Sequence, residues 1–187
     1  MTTDVEICSA ALMLLGAPPI ASLSETSKGA ILCANLYPLA RKDLLRMHPW
    51  NCSVTRVMLA PLVGAPPFDY ANWFAKPGNW LRTLDVGTRS NPLEYEFAGG
   101  RILCNTDSLP FRYVADVGEG NWDSHMVDVM VKRMVADLAY PITKSTSLAQ
   151  LKQALYQDAK KLAKSIDGQE NPPEEIDDAP FIAVRGG

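Results

Sequence analysis

The sequence predicts a mixed α+β fold: an antiparallel-type helical bundle built from N- and C-terminal helices, a small antiparallel β-rich insertion, and an extended C-terminal arm. Three observations carry this expectation. Apolar residues recur at helical spacing over residues 3–48 and again over 123–167. Between them, residues 51–117 hold short alternating runs punctuated by glycine and proline. Residues 169–187 contain Asn-Pro-Pro-Glu-Glu and Asp-Asp-Ala-Pro, too polar to build a core. The expected organisation is one domain over residues 1–168 followed by an arm over 169–187.

The first helix, about 3–16, opens on Thr3 and Glu6, the two members of a capping box. Val5, Cys8, Leu12 and Leu15 share one face, and Gly16 with Pro18 and Pro19 stops the helix. A second helix, about 24–48, starts near Ser24 with Glu25 in its first turn. Ala30, Ile31, Ala34, Tyr37, Ala40, Leu44 and Leu45 form its stripe, and Pro49 ends it. Pro38 lies inside and removes one hydrogen bond, so a kink or split is expected there. Strands are expected near 53–59, 80–86, 93–98, 101–105 and 111–115. Gly99-Gly100 joins two of them as a hairpin, because a two-residue primed turn needs positive φ at both positions. Residues 61–77 read as a loop rich in aromatics: Phe68, Tyr70, Trp73 and Phe74. A third helix, about 123–140, is capped by Asp123 and carries Val127, Met130, Val131, Met134 and Leu138; Pro141 marks its end or a kink. The fourth, about 147–167, shows the stripe Leu148, Leu151, Leu155, Ala159, Leu162 and Ile166, with Gly168 closing it. Helices at both ends of the chain must meet to bury these stripes, leaving the β-rich part as an insertion upon them.

A chain of 187 residues at this composition supports a core without disulfide staples. The net charge of −3 argues against a protein that grips nucleic acid, which carries a basic stripe. Cys8, Cys33, Cys52 and Cys104 are far apart, and neither His48 nor His125 stands at ligand spacing from a partner. The thiols are read as packing residues in a reducing compartment, and no metal or cofactor is expected. No apolar run approaches the roughly 18 residues of a membrane span, and the opening residues are acidic, so synthesis in the cytoplasm is expected.

Catalytic constellations are weak. There is no Gly-x-Ser-x-Gly and no phosphate-cradling glycine loop. His48, in His48-Pro49-Trp50-Asn51, is better read as a helix-end residue, favourable there when protonated, than as a general base. Glu94 and Glu96 lie on one strand face, with Tyr95 and Phe97 on the other, as a solvated hairpin requires. A small cell-wall-active hydrolase using these carboxylates is the alternative from another class, and a DNA-packaging or DNA-binding protein is a third. Two segments read as interaction sites instead. Phe68, Tyr70 and Trp73 suit an interface or a local core. Phe181, Ile182 and Val184, followed by Arg185, form an apolar patch on a polar leash. Across that leash Glu170, Glu174, Glu175, Asp177 and Asp178 face Arg185 alone, a net charge of −4. Such a segment suits an arm that docks on another subunit.

An ordered set of segments adds a resemblance. Leu15-Gly16-Ala17-Pro18-Pro19-Ile20 with Ser22-Leu23 comes first. Tyr37, Ala40-Arg41, Leu44-Leu45 and His48-Pro49-Trp50-Asn51 come next, then residues 95–102 and Arg112-Tyr113-Val114. Over about residues 10–166 the chain resembles the tail tubular protein A family of short-tailed phages and prophages, the head-to-tail adaptor or gatekeeper proteins. The resemblance implies a homo-oligomeric ring of twelve copies in the virion, between the portal protein and the tail nozzle protein. It implies a channel through which DNA passes without specific binding, a helical part with a β-rich part, and no catalysis. An arm carrying Phe181, Ile182, Val184 and Arg185 would reach a neighbour or the portal.

Overall fold

Helix α1 (Asp4–Met13) begins where the capping box places it. The computed structural model of the chain describes residues 2–170, and in it the Glu6 amide donates to Thr3 Oγ1 at 3.2 Å while the Thr3 amide donates to Glu6 Oε2 at 2.8 Å. The helix ends earlier than expected, because Gly16 takes φ +74° and the Ala17 amide turns back to the Leu12 carbonyl. Ser9 then pins the next loop, donating to Ile20 O at 2.6 Å and accepting from Ile20 N at 3.1 Å.

Helix α2 (Lys28–Met47) starts later than the sequence suggests. Glu25 Oε1 accepts the amides of Ala21 and Ser22, which spends the first acidic residue on a turn, and Ser27 caps the helix through Ala30 N. The helix runs unsplit through Pro38, whose ring sits at an exposed position. Helix α3 (Ser124–Thr143) is capped by Asp123 as expected and likewise continues through Pro141. It stops at Lys144, which takes the left-handed conformation and donates its amide to Tyr140 O. Helix α4 (Thr146–Glu170) passes through Gly168 and does not stop there.

The structure is mixed α+β: among the described residues there are four α-helices and two antiparallel sheets. Strands β1 (Val54–Leu59), β7 (Leu109–Ala115), β3 (Trp80–Thr88) and β4 (Asn91–Pro92) make a four-stranded sheet in that order. Strands β2 (Asn72–Ala75), β6 (Arg101–Cys104) and β5 (Tyr95–Ala98) make a second sheet. The β5–β6 hairpin turns on Gly99 and Gly100, both with positive φ. Strand β2 falls inside the stretch read as a loop. Phe74, fully buried, pairs with Ile102 across the β2–β6 ladder, so one aromatic of that loop belongs to a core.

Two apolar clusters result. Helix α3 packs against the other three helices, and the first cluster joins them to Trp50, Leu81, Val114 and Trp122. The second lies between the sheets and holds Phe74, Val86, Ile102, Cys104, Phe111 and Tyr113. Strand β7 serves both, sending Val114 to the first and Phe111, Tyr113 and Ala115 to the second, while Val117 just beyond it touches both.

The fourth helix buries a different face from the one its leucines suggest. Tyr156, Ala159, Ala163 and Asp167 point inward, where small Ala159 and Ala163 let the backbones of α3 and α4 approach closely. Leu151, Leu155 and Leu162 are turned outward and are 55%, 46% and 60% exposed.

One glycine is fixed by geometry. Gly87, in β3, has φ +90°, and a Cβ there would lie 2.5 Å from Asn91 O and 2.8 Å from Leu93 N. Backbone atoms cannot yield as a side-chain tip can. Gly87→Ala is expected to destabilise the fold by about 2 kcal/mol or more, whereas Gly99→Ala, whose Cβ meets open space, costs about 1 kcal/mol through φ alone. Denaturant midpoints of the two variants check the ranking.

Candidate functional site

The aromatic segment is brought together on the outer face of the second sheet. Phe68, Tyr70 and Trp73 line a cavity of about 300 Å³ with Pro67, Glu96 and Leu103. Register explains the wall: Trp73, Leu103 and Glu96 are cross-strand neighbours on β2, β6 and β5. The Arg101 guanidinium stacks 4.1 Å from the Trp73 ring centroid, and Trp73 Nε1 reaches Val63 O at 3.4 Å. Phe68 is 74% exposed, so its ring is a rim and not a core residue. The pocket is mostly apolar, with the carboxylates of Asp69 and Glu96 and the Arg101 guanidinium at its edge, chemistry suited to holding another side chain. On the opposite face of β5, Tyr95 and Phe97 pack edge to face, and Lys76 sits over Trp80 and Phe97.

Glu96 lines this aromatic pocket while Glu94 lies outside its lining. Desolvation raises the Tyr70 pKa and Glu96 and Glu94 add to it, so both carboxylates lie near that hydroxyl.

The His-Pro-Trp-Asn segment is a clamp between α2 and the end of α4. Trp50 is buried and donates Nε1–H to Leu44 O at 2.8 Å. Asp167, only 5% exposed, lies 2.9 Å from His48 Nε2 and accepts the Asn51 backbone amide at 2.9 Å, while Asn51 Nδ2 donates to the Asp167 carbonyl at 2.7 Å. Ser53 donates its hydroxyl to Trp50 O and the Cys52 thiol faces Met126 Sδ, so neither nucleophile is directed at His48. Burial lowers the His48 pKa; Asp167 pulls it back up, and Lys164 and Arg82 push it down again. His48 is therefore held toward the neutral form, which departs from the protonated helix-end residue its position suggested.

Cys8 and Cys33 lie fully buried among the helices and Cys104 in the second cluster. Burial raises the Cys52 thiol to about 11, with Asp123 and Asp167 adding to it. Among the described residues, no group of three or more potential ligands could hold a metal, and no helix is long and apolar enough to cross a membrane.

Phe181, Ile182, Val184 and Arg185 lie outside the described residues. A surface that the sequence did not reveal is the outward face of α4. Leu155 and Leu162 meet Leu14 and Val135 in an apolar groove rimmed by Lys132, Lys152 and Asp158, and Met13 is exposed nearby in sequence on α1. An apolar floor with a charged rim is the anatomy of a protein–protein contact. The signal was present: α4 carries apolar residues over more of its circumference than one packing face can bury.

A scan against protein-family models and a search of curated proteins both return no match for this chain.

The His48 environment sets a pH dependence. An unfolded histidine titrates near 6.5 and the folded one below that, so the unfolded state binds more protons in the window between the two. Stability is then complete above about 6.5 and falls as pH drops toward the lower folded value. Denaturant midpoints at a series of pH values should show this loss in the native chain, and His48→Gln should flatten it.

Proposed function

We propose that this chain is a non-enzymatic structural protein of a virion. It forms a homo-oligomeric adaptor ring at the head-to-tail junction, between the portal protein and the tail nozzle protein, and DNA passes through without specific binding. The observation that carries the reading is the outward leucine face of α4, with Leu14 beside it. Three leucines each about half exposed on one helix are an unfinished core, and a second subunit is what finishes such a surface.

Residues 1–168 serve as the adaptor body. The helices act as a bundle that packs laterally against neighbours, and the β-rich insertion presents the aromatic pocket of Phe68, Tyr70 and Trp73 to a tail partner. Residues 169–187 act as an arm, with Phe181, Ile182, Val184 and Arg185 as its docking end. The ordered resemblance to tail adaptors supplies the expectation of twelve copies. The mild acidity agrees with a channel wall that must not trap DNA. The chain is made in the host cytoplasm and ends in the virion.

Native mass spectrometry of the full chain, alone and with the portal protein encoded in the same genome, tests the reading. A closed ring of defined copy number is the expected result. Leu155→Lys with Leu162→Lys should abolish that ring and leave the thermal midpoint within a few degrees, since exposed positions contribute little to the monomer. A chain that stays monomeric in the presence of the portal overturns the proposal.

A further inference from the structure

Strand β1 is an outer strand: β7 pairs with one side of it, and among the described residues no strand pairs with the other. Its register with β7 sets Arg56 opposite Arg112 and Met58 opposite Pro110. Period-two placement puts these four on one face of the sheet, where Arg56, Met58, Pro110 and Arg112 line a groove of about 380 Å³. Met58 is 65% exposed, a large apolar side chain left uncovered on a sheet. Arg112 pairs with Asp85 at 2.9 Å through one Nη, yet its Nε is buried with no hydrogen-bond partner.

Arg56 and Arg112 also line a second depression whose wall is His48, Asn51, Asp167 and Gly168. The end of α4 therefore borders the same surface, and Asn51 Nδ2 lies 3.4 Å from Glu170, the last residue of that helix. The chain beyond Glu170 thus starts at the mouth of the arginine groove. It carries Glu174, Glu175, Asp177 and Asp178, then Phe181, Ile182 and Val184. The carboxylates come four to eight residues past Glu170, within about 13–26 Å of extended chain, and β1 itself spans about 20 Å.

We propose that residues 171–187 occupy this groove on their own chain, with the acidic residues against Arg56 and Arg112 and the apolar residues over Met58 and Pro110. The arginines favour carboxylates in a bidentate fork, and the order of charge then apolarity along the segment matches the order of the two depressions from Glu170 outward. This docking belongs to the free chain and does not require ring formation.

Oxidative footprinting tests it, with Met58 as reporter and Met13, 56% exposed and outside the groove, as internal standard. The full chain is diluted until native mass spectrometry shows monomer only. Met58 should then oxidise several-fold more slowly than Met13. The full-chain variant Glu174→Gln, Glu175→Gln, Asp177→Asn, Asp178→Asn should bring the two rates together, as should Phe181→Ser with Ile182→Ser. Equal rates in the native chain overturn the proposal. Protection of Met58 that disappears on dilution assigns the groove to a second copy and also overturns it. The copy number read by native mass spectrometry at higher concentration tests ring formation separately, so a failure of the assembly reading has its own readout.

Discussion

Arg41 holds the helical layer to the sheet layer. Its Nε reaches Glu119 at 2.7 Å, one Nη pairs with Asp116, and the other donates to Val117 O at 2.6 Å, while the guanidinium lies over the Trp122 ring. Tyr37, one turn earlier on α2, gives its hydroxyl to the same Glu119 oxygen at 2.8 Å. Burial opposes the charge on Arg41, but Asp116 and Glu119 outweigh it and the pKa is raised. Every partner lies in the short connection between β7 and α3. The connection that carries the chain from sheet back to helix is thus fixed to α2 before α3 begins. Leaving such a shielded charge without partners costs about 3–5 kcal/mol, against about 0–1 kcal/mol for an exposed pair such as Lys132–Asp128.

Local signals in the sequence translated into structure where a single short-range interaction decides the outcome. The Thr3–Glu6 box, the Asp123 cap and the Gly99-Gly100 hairpin are of this kind. Readings that needed a tertiary choice moved. Strand β2 lies among aromatics that look like loop filling, and only pairing with β6 reveals Phe74 as an inward residue. Helix α4 has two apolar sectors, and periodicity alone cannot say which one a neighbouring helix takes. Burial chose the sector with two alanines and left the leucines outside. Ser24 lost the capping role to Ser27 because Glu25 was already engaged with the backbone.

The residues that carried the family resemblance turn out to hold structural posts. Gly16 turns the chain, Ile20 is tied to Ser9, Arg41 anchors the layers, and His48 with Asn51 grips Asp167. Gly16 and the Ser9–Ile20 tie act locally, whereas Arg41, His48 and Asn51 reach partners on distant elements. The surfaces on which the functional reading rests leave a fainter trace. Exposure is a property of the finished fold, and nothing in the spacing of Leu151, Leu155 and Leu162 distinguishes a core stripe from a docking stripe.

Strand β7 is shared by two apolar clusters, with Val114 keyed into one and Leu109, Phe111, Tyr113 and Ala115 into the other. A strand anchored on both faces cannot slide along one without prying open the other. The molecule therefore has a spine where many two-layer proteins have a hinge. A change that loosens either cluster at β7 is therefore felt in the other.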